Sequence, residues 1–158
     1  MPVLSANELK RICITVLVAV GTPEDEAEII ADSLVKANLR GIDSHSVFRL
    51  TAYIDRVEHK TIIPGAHFTI VRQTPSTALV NGGSGFGEVV GVKAMELAVK
   101  KSRETGIGAV SVFDTNHFGM AAYCAMICLQ NDMIGVITSN TSPYVVPWGG
   151  RVPMLGTN

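Results

Sequence analysis

The chain of 158 residues is long enough for one domain with a real core, or for a helical piece joined to a second unit. Hydrophobic residues make up 47% and charged residues 17%, which excludes disorder and implies much buried or interface-forming surface. A net charge of −1, from 13 basic and 14 acidic residues with no long run of either sign, excludes a nucleic-acid footprint. No apolar stretch reaches the ~18 to 20 residues that a membrane span needs. Ile12 to Val20 is apolar but has no small-residue cleavage site after it, so neither a membrane nor a secreted protein is expected. Cys13, Cys124 and Cys128 make no disulfide framework. The last two are one helical turn apart in an apolar run, where core packing outweighs metal binding. A cytoplasmic protein with no metal centre is the expectation.

Ser5-Ala6-Asn7-Glu8 has capping-box spacing and starts a helix that runs to Val20, where Gly21 stops it. Thr22-Pro23-Glu24-Asp25 starts a second, with a hydroxyl cap, proline at the first helical position, and acids at the positive end of the dipole. It ends at Leu39 before Gly41. A third is predicted from about Ser46 to Glu58, with Val47, Leu50, Ile54 and Val57 on one stripe. After the Pro64-Gly65 break the period changes. Phe68 to Val71 and Thr77 to Val80 are read as short strands around Pro75-Ser76. Glycine-rich Gly82 to Gly87 leads into a helix from Glu88 to Glu104, stopped by Gly106. A strand (Ala109 to Phe113), a polar turn, a helix (Met120 to Leu129) and a strand (Ile134 to Thr138) follow, then a Pro-, Gly-, Ser- and Thr-rich tail. The expected fold class is α/β (α+β): a helical segment, 1–65, then an alternating unit, 66–158.

Three groups of residues could carry chemistry. Asp114-Thr115-Asn116-His117-Phe118-Gly119 places an imidazole in a turn held by a strand and a helix, a suitable position for proton transfer. Asp43-Ser44-His45-Ser46-Val47-Phe48-Arg49 sets His45 near a helix start with Arg49 four residues on. A guanidinium can hold a carboxylate through two parallel hydrogen bonds while an imidazole serves the reacting oxygen. The alternative is that Asp43 or Ser44 caps the helix and His45 and Arg49 are surface residues. Thr138 to Pro143 offers hydroxyls and an amide at a strand end, where ligands of open α/β sheets bind. The glycine cluster is not a Rossmann fingerprint, because Gly83-x-Gly85-x-Gly87 puts the last glycine at the wrong spacing. A tight turn with close backbone packing is expected there.

Taken in order, several of these stretches resemble the malate/L-lactate dehydrogenase family, NAD(P)-dependent oxidoreductases that lack the Rossmann fold. They are Arg40-Gly41-Ile42-Asp43-Ser44-His45 with Arg49-Leu50, Gly85-Phe86-Gly87 before Val89-Val90-Gly91, and Asn116-His117-Phe118-Gly119. Met133-Ile134-Gly135, Ser139-Asn140-Thr141-Ser142-Pro143, Pro147-Trp148-Gly149-Gly150 and Leu155-Gly156-Thr157-Asn158 complete the series. The resemblance implies a homodimer with a helical N-terminal segment and a mixed-sheet nucleotide-binding domain. It implies hydride transfer between NAD or NADP and C2 of a small 2-hydroxy or 2-oxo acid. It also implies His45 and His117 as catalytic residues, Arg49 as a contact for the substrate carboxylate, Thr141 as a contact for substrate or nicotinamide, and Ser142 as a further cofactor contact. His117 is the favoured acid–base group, as a cationic donor to the ketone oxygen, with His45 and Arg49 orienting the acid; the converse is the alternative. Two substitutions depart from the family pattern: Ser46 stands where glycine is usual and Thr115 where serine is usual. Members are also about twice as long, so a competing expectation is a truncated, catalytically silent fragment that keeps only a dimerisation surface.

Overall fold

The computed structural model describes residues 3–156; Thr157 and Asn158, half of the last matching motif, lie outside the described residues. Helix α1 (Ala6–Ala19) starts on a reciprocal cap, in which the Ser5 hydroxyl accepts from the Glu8 N–H and the Glu8 carboxylate accepts from the Ser5 N–H at 2.9 Å. Helix α2 (Glu24–Leu39) starts differently from expectation. Pro23, at φ −53° and ψ 144°, is the cap residue and stays outside the helix, with no side-chain cap bond. Thr22 is buried instead, and its hydroxyl has no partner among the described residues. Three acids in the first turn, Glu24, Asp25 and Glu26, complement the helix dipole.

The predicted third helix is divided. Two single 3-10 turns, Asp43–His45 and Val47–Arg49, precede α3 (Leu50–Glu58). Ser46 causes the break: its backbone is extended, and its hydroxyl accepts from the Phe48 N–H and donates to the Asp43 carbonyl at 2.8 Å. One side chain thus closes the first turn and caps the second. That extended backbone suits any residue, so serine in place of the usual glycine introduces no strain here. Val47, Leu50 and Val57 pack against the core as the stripe predicts, but the most deeply buried residue of α3 is Tyr53.

Strands β1 (Thr69–Gln73), β2 (Thr77–Gly85) and β3 (Ala109–Thr115) form one sheet in the order β1-β2-β3. The first pair is antiparallel; the second is parallel and connected by α4 (Gly87–Thr105). A parallel pair needs a crossover, and α4 supplies it while lying against both strands. Helix α5 (Ala121–Leu129) packs on α4. A Cβ on Gly91 would lie 2.9 Å from Cys124 Sγ, so glycine permits that close approach. Two expectations are corrected. Gly82 to Gly85 belong to β2 rather than to a turn, with a register shift between Asn81 and Gly85 where Gly83 and Ser84 take positive φ. The strand predicted at Ile134 to Thr138 does not form. Its residues keep a period of two, since Ile134 and Val136 are exposed while Gly135 and Ile137 are half-buried. Among the described residues no neighbouring strand pairs with it, and a strand without a hydrogen-bonded partner is only an extended segment.

The core brings together Leu17, Ala27, Ile30, Leu34, Tyr53, Ile62, Phe86 and Val89, and so draws on both sides of residue 65. At the junction, the buried Glu26 carboxylate accepts from the Gly65 N–H at 2.9 Å and fixes the turn against α2. Among the described residues no helix is long and apolar enough to cross a membrane.

Candidate active site

His117 lies in the turn between β3 and α5, and the residue before it determines where that turn sits. The Asn116 side-chain amide spans three carbonyls, of Thr61 at 3.1 Å, Ser84 at 2.8 Å and Gly85 at 3.2 Å. It ties the turn to the end of β2 and to the segment after α3. Gly87 makes the approach possible, because a Cβ there would run into the Asn116 and His117 backbone carbonyls. Gly119, at φ +71°, would meet Ser33 Oγ and Glu88 Oε1 if it carried a Cβ. The glycines thus allow α4, α2 and the histidine turn to come together.

The two sequence-predicted histidines meet across this turn. The His45 and His117 rings are stacked with centroids 5.2 Å apart. Ser44 Oγ lies 2.8 Å from His45 Nδ1, and the Ser44 carbonyl accepts from Arg49 Nε at 2.6 Å. Arg49 is therefore held by one edge, and among the described residues its terminal nitrogens have no hydrogen-bond or ion-pair partner. Neither Asp43 nor Ser44 is the cap of α3; Ser46 does the capping locally, which leaves Ser44 free to hold both His45 and Arg49. Thr141 and Ser142 are exposed, and no hydrogen bond links them to the histidine pair among the described residues.

Two residues that sequence reasoning missed complete the cluster. The Tyr53 hydroxyl lies 2.8 Å from His117 Nδ1 and donates to Glu88 Oε1 in a short hydrogen bond. Tyr53 also packs edge-on against Phe86, with centroids 5.9 Å apart. Glu88 is fully buried. An acid between Phe86-Gly87 and Val89-Val90 in the first turn of a helix could have been noticed, as could a tyrosine three residues past Leu50 on the apolar stripe.

The electrostatics follow from burial. Burial pushes the Glu88 carboxyl up to about 7 against hydrogen bonds that favour its charged form. Burial, and then the nearby charges of Arg49, His45 and Arg56, push His117 down to about 4. Burial followed by Arg49 lowers His45. The cationic histidine expected from the sequence is therefore not the resting form: both imidazoles rest neutral near pH 7. The pKa shifts also act on stability. The raised Glu88 pKa stabilises the fold below about 4.5, an effect lost as pH rises through about 7. The lowered His117 pKa stabilises it above about 6.5, an effect lost as pH falls through about 4. Between about 4.5 and 6.5 these slopes oppose each other. E88Q removes the first, so its urea midpoint is expected to rise with pH across that window more steeply than that of the wild type; parallel curves would contradict the Glu88 shift.

At the glycine cluster, Cβ atoms on Gly82 and Gly87 would meet this chain's own backbone, so glycine at these positions serves close packing of the chain on itself. The Thr141 and Ser142 side chains are exposed and make no side-chain hydrogen bond among the described residues. Among the described residues no group of three or more His, Cys, Asp or Glu side chains could hold a metal ion.

A mixed α/β scaffold thus stacks the His45 and His117 rings near a guanidinium whose terminal nitrogens have no partner among the described residues. The family model described as malate/L-lactate dehydrogenase matches residues 4–158, and the chain belongs to that family. It is 47% identical to the L-sulfolactate dehydrogenase of Methanothermobacter thermautotrophicus over 155 residues, covering 98% of this chain and 46% of that relative. It is 47% identical to the malate dehydrogenase of Pyrococcus abyssi over 152 residues, covering 96% of this chain and 42% of the relative. The solved sulfolactate dehydrogenase from Methanocaldococcus jannaschii superposes with a TM-score of 0.81 at 40% identity, over 83% of this chain and 38% of that one. The chain thus spans less than half the length of the curated relatives it matches.

Proposed function

We propose that the protein is an oxidoreductase that transfers hydride between NAD(P) and C2 of a small 2-hydroxy or 2-oxo acid of the malate, lactate or sulfolactate type. The observation that carries this reading is the stacked His45–His117 pair beside the partly free Arg49 guanidinium. In the reduction, negative charge grows on the ketone oxygen, and a donor at that oxygen stabilises the transition state more than the ground state. His117 takes the acid–base role, Arg49 holds the substrate carboxylate, and His45 orients the acid from the adjoining ring. Thr141 and Ser142 are the cofactor contacts, with Thr141 also facing substrate. Segment 1–65 then supplies the substrate side of the site, and 66–158 belongs to the nucleotide-binding side. A cytoplasmic homodimer accords with the family and with three free, buried cysteines. The competing reading, a silent dimerisation fragment, draws no support from the matches, whose named relatives are dehydrogenases.

The test is oxidation of NADH and NADPH by the expressed protein across a panel of 2-oxo acids that includes oxaloacetate, pyruvate and sulfopyruvate. Turnover of at least one is expected, and no turnover of any would overturn the proposal. Arg49→Lys keeps the charge but loses the planar fork, so KM for the acid is expected to rise by about 10- to 100-fold with a smaller effect on kcat. An unchanged KM would remove Arg49 from the carboxylate.

A further inference from the structure

The assignment of His117 leaves open what receives a proton that arrives there, and the buried Glu88 offers an answer. Its Oε1 accepts from the Tyr53 hydroxyl, whose oxygen lies 2.8 Å from His117 Nδ1. Its Oε2 is buried and has no partner among the described residues. A carboxylate needs several donors to remain charged out of water, and this one has a single side-chain donor and no cation in contact among the described residues. The ionisable groups facing it are Tyr53 from α3 and Tyr123 and Cys124 from α5, while α2 contributes only the Ser33 hydroxyl. None of these is a cation. Glu88 is thus built to take up a proton, and one hydrogen-bonded path leads to it from the candidate site.

We infer that Glu88 is the inner end of a proton relay, Glu88–Tyr53–His117, that lets His117 exchange a proton at its outer nitrogen without resting as a cation. The relay rests on the dehydrogenase reading above, but its geometry is independent of which acid is used. In one state Glu88 is a carboxylate, Tyr53 donates to it, and His117 Nδ1–H donates to the Tyr53 oxygen. His117 Nε2 then carries the lone pair. When Nε2 takes the proton of a substrate hydroxyl, whose C2 hydride leaves to the oxidised nicotinamide, the Nδ1 proton moves to Tyr53 and the Tyr53 proton moves to Glu88. In the second state Glu88 is a neutral acid that donates to Tyr53, Tyr53 donates to Nδ1, and Nε2 carries the proton. This state holds one proton more than the first, the one taken from substrate. Reduction runs the path in reverse. The Gly119 N–H, 3.3 Å from His117 Nδ1, suits the second state, in which Nδ1 is an acceptor. Tyr53 is never required as a phenolate, which burial and the adjacent Glu88 carboxylate both disfavour.

The relay predicts that the tautomer of His117 reports the protonation of Glu88. In nitrogen-15 NMR of the expressed protein, His117 is expected to shift from Nδ1–H to Nε2–H as pH falls through the Glu88 transition near about 7. E88Q, whose amide does not titrate, is expected to hold one tautomer across that range. Y53F removes the connecting hydroxyl and is expected to abolish the switch while leaving Glu88 able to titrate. A purely structural Glu88 would move none of these signals. A wild-type His117 that keeps one tautomer throughout, or a switch that persists in E88Q or Y53F, overturns the relay. Turnover of 2-oxo acids without the switch would sink the relay alone. The switch without turnover of any acid would sink the dehydrogenase reading and leave the proton path standing.

Discussion

Replacing His117 with glutamine is expected to lower kcat/KM for 2-oxo acid reduction by about 10²- to 10⁴-fold, the usual contribution of one positioned acid–base group. Glutamine is near the size of the imidazole and keeps a polar end toward Tyr53, so the turn should hold its shape and the loss should fall mainly on kcat. The neighbouring His45→Gln removes a ring that stacks on His117 but, among the described residues, has no hydrogen bond to Tyr53 or Glu88, and its effect is expected to be smaller and to include KM. Because His117 is held down at about 4, a limb of the oxidation rate near about 7 belongs to Glu88, which the relay needs as a carboxylate, rather than to His117. If His45→Gln lost more in kcat than His117→Gln, the two roles would have to be exchanged.

Gly87→Ala is the second large effect, and it acts through backbone rather than chemistry. The added methyl would overlap the Asn116 and His117 carbonyls. Main-chain atoms cannot swing aside as the end of a side chain can, so either α4 or the histidine turn must move. Overpacking of this kind costs about 1–3 kcal/mol, and a displacement of about 1 Å in a catalytic group can cost about 10²-fold in rate. A denaturation midpoint and kcat/KM should therefore fall together. Gly106→Ala is the control: at φ +81° it pays a backbone cost of about 1 kcal/mol, but a methyl there meets nothing within 4 Å. With no contact for the methyl to disturb, it should lose stability and keep activity. If Gly87→Ala retained both, the close packing of α4 on the turn would not control the position of His117.

What the sequence made legible was whatever is encoded locally. Ser5 and Glu8 sit at the spacing of a reciprocal cap, and they form one. Gly106 follows the last residue of α4 in a left-handed conformation, as a helix stop should. The His45 and His117 motifs were visible because each is a short pattern in a loop. Their stacking was not, because it depends on how α2, the 3-10 turns and the β3–α5 turn pack together. Thr22 misled because Pro23 stays outside the helix and takes the cap position itself. Ile134 to Thr138 misled because alternation gives a strand its faces, while its neighbours give it hydrogen bonds. Tyr53 and Glu88 were hidden for a related reason. A tyrosine on an apolar stripe and an acid at the first turn of a helix each have an ordinary local explanation, and only the fold puts the hydroxyl of one between the other and His117.

Hydride transfer to C2 of a 2-oxo acid at the His45–His117 site can be followed directly with an isotope. The expressed protein is supplied with a 2-oxo acid and reduced nicotinamide cofactor deuterated at both C4 positions, and the product is examined by proton NMR. The expected product is a 2-hydroxy acid carrying deuterium at C2, with formation slowed by about 10²- to 10⁴-fold in His117→Gln. A product whose C2 carries only solvent hydrogen, or no consumption of reduced cofactor with any 2-oxo acid, would contradict it.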